Sequence, residues 1–277
     1  MPQLSLFLTS CKLSTTVNLI MAVLTITSDW GTTDYFIGAM KGDILTLCPE
    51  AAIIDISHAI NPFDLVQGAF VFKNSWIRFP KGTVHLVGMC SASKEVPALV
   101  VISYKNHYFV GPDDGFFSLV FDEMPLDAYY ILDAKGNKVI PGSNVLASSG
   151  AFLANGGKIK DMGEKASSLI QKSMIQPVTE EGTIRGSIIY IDTFGNLITN
   201  IEKSLFERIA RGRDFEITLR SSEYMINEVH DSYFEAGRGN LLAHYNESGY
   251  LEIAISQGDA SKLIGVSCGD IIRIEFK

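Results

Sequence analysis

The feature that most constrains this 277-residue chain is an alternation, in its first half, of short β-branched apolar runs with stretches whose apolar residues recur at helical spacing. Residues 22–26 form a strand-like run that ends in Thr27-Ser28-Asp29-Trp30-Gly31-Thr32-Thr33-Asp34. Residues 35–47 then carry Phe36, Met40, Ile44 and Leu47 on one helical face and stop at Cys48-Pro49. A second strand follows at 52–56, then the loop Ser57-His58-Ala59-Ile60-Asn61-Pro62-Phe63, and Asp64 starts a second helix reaching Trp76. This order predicts an α/β domain with a mostly parallel, Rossmann-like sheet and crossover helices. Ligands of such sheets bind beyond the C-terminal ends of the strands, where a carboxylate can accept both hydroxyls of a ribose. Asp29 is therefore the first candidate site residue. The alternative is that Asp29 or Asp34 only caps the helix beginning near Tyr35.

Further strands are expected at 83–89, 98–104 and 128–132. Gly111-Pro112-Asp113-Asp114-Gly115 is a turn signal followed by the apolar run 116–121, and residues 143–155 read as a helix stopped by Gly156-Gly157. The pattern changes at residues 176–182, read as a linker. Beyond it come short alternating segments at 186–191, 197–201, 215–219, 241–245, 250–255 and 271–276, the signature of an all-β barrel or sandwich. At roughly 150 residues per domain the length fits two domains. The expected division is a leader at 1–21, an α/β domain at 22–178 and a β-barrel domain at 183–277.

Net charge −8, pI near 5.2 and the lack of any Lys/Arg run argue against nucleic acid or an anionic membrane surface as partner, and point to a small molecule. Cys11, Cys48, Cys90 and Cys268 are widely spaced, with no C-x-x-C pair, so neither a zinc site nor a disulfide framework is indicated. A reducing, cytoplasmic setting is expected. Leu8-Thr9-Ser10-Cys11 looks like a bacterial lipoprotein cleavage box, but residues 1–7 hold no Lys or Arg and the apolar core is too short for export. Residues 1–20 are expected to be a disordered leader or a start assigned too early, and no run approaches the ~18 apolar residues that span a bilayer.

Taken together, eight segments resemble the S-adenosylmethionine hydroxide adenosyltransferases, the group that also holds the adenosyl fluorinases and chlorinases. They are Thr27-Ser28-Asp29-Trp30-Gly31, Met40-Lys41-Gly42, Ile54-Asp55-Ile56-Ser57-His58, Pro62-Phe63-Asp64, Phe79-Pro80-Lys81-Gly82-Thr83-Val84-His85, Val110-Gly111-Pro112-Asp113-Asp114-Gly115, Ile191-Asp192-Thr193-Phe194-Gly195-Asn196 and Gly249-Tyr250-Leu251-Glu252-Ile253-Ala254. Each is weak alone; their order and spacing are specific. The resemblance implies a homotrimer whose ligand lies between one subunit's N-domain and its neighbour's C-domain. S-adenosylmethionine would be the substrate, with no separate cofactor or metal. Asp29 matches the acceptor of the ribose hydroxyls, and Phe63 the aromatic beside the sugar and sulfonium. Asp192 and Asn196 match the pair holding the methionine ammonium and carboxylate, Phe194 the aromatic packed on the adenine, and the stretch from Ala254 to Ala260 a backbone reading the adenine edge. A sulfonium cation with a zwitterionic tail does need carboxylates, aromatic faces and backbone donors.

The chain departs from the hydrolytic members at their catalytic Asp, Arg and His. The Asp falls on Cys90, the Arg near Val96 and the His on Pro141. Ser93, Lys94 and Glu95 are candidate replacements, although a short Ser/Lys/Glu loop is also what a plain solvated turn looks like. Ser91, Ser93 and Gly142 could form the small halide pocket of the halogenating members. Three readings therefore stand: an S-adenosylmethionine-cleaving enzyme with a rearranged nucleophile site, a non-catalytic S-adenosylmethionine or adenosine binder, and a halogenase. His58 and His85 read as core or supporting histidines rather than bases, and His107, His230 and His244 have no partner visible in the sequence.

Overall fold

The computed structural model describes residues 21–92 and 95–277. Residues 1–20 of the expected leader lie outside the described residues, as do Ser93 and Lys94. In chain order the first half runs β1 (Val23–Ser28), α1 (Phe36–Leu47), β2 (Ala52–Ser57), α2 (Leu65–Trp76), β3 (Val84–Gly88), β4 (Leu99–Tyr104), β5 (His107–Pro112), α3 (Phe116–Val120), β6 (Asp127–Ile131), α4 (Ser143–Ala154) and β7 (Gly163–Lys165). These strands form one sheet in the order β2-β1-β3-β5-β4-β6-β7. β2, β1, β3 and β5 are mutually parallel, and β4 is antiparallel to both β5 and β6, so β6 runs with the parallel set. The apolar run 116–121, left unassigned between strand and helix by its composition, is the short helix α3.

The chain passes from β1 to β2 on one side and then crosses to β3 on the other. Right-handed crossovers in opposite directions put α1 and α2 on opposite faces of the sheet. The packing shows this: Ile37, Met40 and Ile44 of α1 join Leu146 and Ala147 of α4 in one core, and Ala69, Phe72 and Trp76 of α2 join Phe116 and Phe117 of α3 in another. β1 alternates between the two, with Leu24 and Ile26 in the α1/α4 core and Thr25 turned towards His85 on the far side. Because strand order reverses at β1, a crevice opens between the C-terminal ends of β1 and β3.

The second half runs β8 (Val178–Glu180), β9 (Thr183–Ile191), β10 (Leu197–Glu202), α5 (Lys203–Ala210), β11 (Phe215–Leu219), β12 (Ser221–Ile226), β13 (Val229–His230), β14 (Leu241–Tyr245), β15 (Tyr250–Ile255), α6 (Ala260–Ile264) and β16 (Ile271–Phe276). Its sheet has the order β12-β11-β16-β9-β10-β15-β14-β13, with β8 also on β9. β9 pairs with β16 through its first half and with β10 through its second, so it turns the corner of the sheet. β12 comes back towards β14 without a ladder between them, leaving a nearly closed barrel around Ile184, Leu197, Ile217, Ile253 and Ile272. β8 lies within the segment read as linker, and β12 and α5 are elements that apolar alternation did not reveal. Phe70 of α2 stacks on Tyr190 of β9 with ring centroids 4.7 Å apart, and Asn200 Nδ2 donates to the Ile175 carbonyl at 2.8 Å, fastening the barrel to the α/β domain.

Candidate ligand site

The crevice at the ends of β1 and β3 is a cavity of about 310 Å³. Asp29 and Trp30 from the loop after β1 and Gly88 and Cys90 from the end of β3 form its floor. Pro62 and Phe63 from the loop before α2 make one wall, and Pro141, Gly142 and Leu146 at the start of α4 the other. Asp29 does not cap α1: the helix has Tyr35 at its N-cap and no side-chain cap, so the capping alternative fails for Asp34 as well. Instead Asp29 Oδ2 accepts the backbone N–H of Phe63 at 2.9 Å, which joins the first loop to the second.

Phe63 has φ +67, a conformation that bulky L residues seldom adopt, and its ring is 60% exposed. Strained backbone of this kind persists where its surroundings hold it, and here the holder is the Asp29 carboxylate. The ring also borders a neighbouring hollow lined by Ser91, Lys172 and Ser173, so it divides two compartments. Trp30 lies across the end of β3, where only glycine leaves room: a Cβ on Gly88 would stand 2.6 Å from the indole. Trp30, Pro62 and Gly88 belong to the site and had not been singled out; a large aromatic directly after Asp29 was the available signal for the first.

Cys90 and Pro141 both line this cavity, whereas Val96 lines a separate trough with Glu95, Tyr130 and Lys138 and is 68% exposed. Burial, with Asp114 and Asp29 adding negative charge, pushes the Cys90 thiol up to about 11, so it is a neutral thiol at pH 7 and no thiolate nucleophile. The Cys90-Ser91 loop is held from behind: Asp114 Oδ2 accepts from Ser91 N at 2.7 Å and its Oδ1 from Phe116 N at 3.1 Å. Burial raises the Asp114 carboxyl above its ordinary value despite those bonds. Asp113 ties in the segment after β7, accepting from Ile170 N at 2.8 Å, and also accepts from the Tyr130 hydroxyl at 2.9 Å. The Asp113-Asp114 turn is thus a bracket for the loop that carries Cys90 to the cavity.

The candidates of the second domain form a different constellation. Asp192 Oδ1 accepts from the N–H groups of Phe194 and Asn196, each at 2.9 Å, and its Oδ2 from Asn196 Nδ2 at 3.0 Å. This folds a tight turn that throws Phe194 outward, 76% exposed, while Asn196 stays buried. Gly195, at φ +83, is obligatory there, since a Cβ would meet the Asp259 carboxylate at 2.1 Å. Ala254 is buried in β15 opposite Leu242 of β14, and Ala260 opens α6 behind the Asp259 cap. None of these residues lines the Asp29 cavity. Among the described residues no group of His, Cys, Asp and Glu is arranged to hold a metal ion, and no helix is long and apolar enough to cross a membrane.

Comparison with known proteins gives the family. The model of the SAM hydroxide adenosyltransferase N-terminal domain matches residues 24–163 and that of the C-terminal domain residues 186–273. The (R)-S-adenosyl-L-methionine hydrolase of Methanocaldococcus jannaschii is 30% identical over 279 residues, covering 93% of this chain and 97% of its own. A fluorinase of an Actinoplanes species is 26% identical, covering 82% and 88%. The crystal structure of an uncharacterized conserved protein from Thermotoga maritima superposes with a TM-score of 0.79 at 28% identity, over 91% of this chain and 99% of that one. With both domain models matched in order and a relative at 30% identity along nearly its full length, the chain belongs to the SAM hydroxide adenosyltransferase family.

Proposed function

We propose that this protein binds S-adenosylmethionine in the Asp29 cavity and cleaves it slowly at ribose C5′ with water, releasing adenosine and methionine. The observation that carries this reading is the composition of the cavity wall. Among the described residues it presents one carboxylate, Asp29, held by the Phe63 amide, between the aromatic faces of Trp30 and Phe63, and one other ionisable group, the neutral Cys90 thiol. The carboxylate suits the ribose diol through charge-assisted hydrogen bonds, and the aromatic faces suit a sulfonium cation. Methionine leaves as a neutral thioether, so the site has chiefly to align water with C5′ and exclude bulk solvent. The same wall supports the second reading, a non-catalytic binder, because nothing on it is built to take the proton of attacking water. It disfavours a halogenase. Ser91 N–H is already donated to Asp114, and the Asp29 and Asp114 charges that raise the Cys90 thiol would repel a halide at the same place.

Replacing Asp29 tests the ligand directly. Asp29→Ala should weaken adenosine or S-adenosylmethionine binding, measured by calorimetry, by about 1–3 kcal/mol. Unchanged affinity would remove Asp29 from the site.

The other half of the site, Asp192, Phe194 and Asn196, comes from a second copy of the chain in a homotrimer. Support comes from Phe194, an exposed aromatic beside a prebuilt carboxylate turn, which its own subunit leaves uncovered. Light scattering should give about three times the 30.4 kDa chain mass. A 30.4 kDa particle at saturating adenosine would contradict the shared site.

A further inference from the structure

A chain of polar groups, buried at Ser28 and His58, leads from the outside of the α/β domain to the Asp29 loop, and the chemistry assigned above does not use it. Ser28, the last residue of β1, is fully buried and shares a 2.7 Å hydrogen bond with His58 Nδ1. His58 Nε2 lies 3.1 Å from Asp55 Oδ1, a close approach set out of line for a well-directed hydrogen bond. Asp55 Oδ2 receives the Lys41 ammonium of α1 at 2.6 Å. One arrangement satisfies these groups. Ser28 Oγ, 3.4 Å from the Trp30 amide, accepts from it and donates to His58 Nδ1, with the His58 ring hydrogen on Nε2, towards the Asp55 carboxylate. The same histidine holds the loop a second time, through its carbonyl, which accepts from Gly31 N at 2.9 Å. Asp29 is thus enclosed on both sides, by Ser28 bonded to the His58 ring and by Trp30 and Gly31 bonded to Ser28 and to the His58 backbone.

We propose that Ser28, His58 and Asp55 are positioning residues for Asp29: they fix the loop after β1 so that its carboxylate holds the Phe63 amide and meets the ribose diol. They touch no ligand themselves, since none of the three lines the cavity. The physical reason for such a device is local. Asp29 stands past the end of β1, where the sheet ladder no longer restrains the backbone, and a carboxylate on an unrestrained loop would lose affinity to the entropy of ordering it. Tying the loop to β2 through a side chain and to α1 through Asp55 and Lys41 carries the rigidity of two regular elements to that one carboxylate. Burial opposes ionisation of Asp55, and the Lys41 and His58 contacts outweigh it, leaving its carboxyl below the ordinary value and charged at neutral pH.

The Phe63 amide reports the position of Asp29 without any ligand, and it lies 35 residues from Ser28 and touches no member of the relay. Hydrogen exchange at residue resolution should show the Phe63 amide exchanging at least tenfold faster in Ser28→Ala and several-fold faster in Asp55→Asn, with the amides of β3 unchanged in the same samples. Asp55 is part-exposed, so Asp55→Asn decides the matter if Ser28→Ala does not fold. A Phe63 amide that keeps its protection in a folded variant overturns the proposal. The second readout rests on the ligand reading above. The preference for adenosine over 2′,3′-dideoxyadenosine should fall several-fold in both variants, towards that of Asp29→Ala, and an unchanged preference alongside a loosened Phe63 amide also overturns the positioning role. If the unmodified protein binds neither nucleoside, the ligand reading fails, and the exchange measurement still decides the relay.

Discussion

Purified protein given S-adenosylmethionine is expected to release adenosine and methionine at well under 1 s⁻¹, with no gain on adding chloride or fluoride. A positioned general base is worth typically 10²–10⁴ in rate, and ordinary enzymes turn over at roughly 1–10³ s⁻¹. Cys90 and Pro141, which the resemblance sets at the Asp and His positions of the hydrolytic members, line this cavity, and the Cys90 thiol holds its proton up to about pH 11. Asp29 is the one carboxylate among the described residues that line it, and its Oδ2 is engaged with the Phe63 amide. Positioning and desolvation remain, so the rate should be small and measurable above the reaction without protein. Product analysis by chromatography, over hours, with and without halide, checks it. Turnover in the ordinary range would show that a proton-accepting group enters from outside the described wall, and Ser93, Lys94 and Glu95 are then the residues to replace first. Complete absence of products with tight nucleoside binding would establish the non-catalytic reading.

Stability should fall steeply on mild acidification, through a pair of histidines remote from the ligand. His85 is fully buried on β3, bonded through Nδ1 to Thr25 Oγ1 at 2.7 Å and through Nε2 to His107 Nδ1 at 3.1 Å, and its ring stacks on Phe109. Burial, aided by His107, lowers its pKa from 6.5 to about 3. His107 is lowered too, by burial and by Lys81. Between pH 6.5 and 3 the unfolded chain therefore binds a proton at His85 that the folded chain refuses, and stability rises with pH across that window and is lost as pH falls. The slope is about 1.4 kcal/mol for each pH unit once the unfolded histidine is fully charged. Denaturant unfolding at steps from pH 7 to 5, compared between the protein and its His85 variant, separates this loss from that of the carboxylates. His85→Phe should be less stable at pH 7, because Thr25 and His107 lose their partner, and flatter with pH. A profile equally steep in the variant would assign the acid loss to other groups.

The ligand crevice was legible because its ingredients are local. A β-branched run that ends in a polar loop before a helical pattern marks the C-terminal end of a parallel strand, and Asp29, Phe63 and Gly142 each follow or precede such a boundary. The Asp192 turn is local too, closed within four residues by its own carboxylate. The resemblance placed Cys90 and Pro141 at equivalent catalytic positions, and they do face one cavity although 51 residues of chain separate them. Glu95 and Val96 lie on the far side of the Ser91 bracket, which no spacing rule indicated. Strand β12 was missed for a related reason. Its residues include Ser221, Ser222 and Glu223, and what makes it a strand is the ladder it forms with β11, not any alternation of its own.

What the sequence determined by itself was periodicity: which segments are strands or helices, and which polar residues stand at their ends, since those depend on neighbours within a few positions. What only the tertiary structure decided was pairing. Two histidines without visible partners acquire them through strand order and register: β3 beside β5 sets His85 against His107, and β14 against β15 sets His244 opposite Glu252 at 3.2 Å, whereas His230 meets Glu235, at 3.7 Å, within one local turn. Ser28 meets His58 because β1 and β2 lie side by side, and Gly88 must be glycine because Trp30 folds over it. A side chain's chemistry at these positions depends on which strand lies next to it. Strand order is a property of the whole sheet, reached through crossovers and burial that no short stretch of residues encodes.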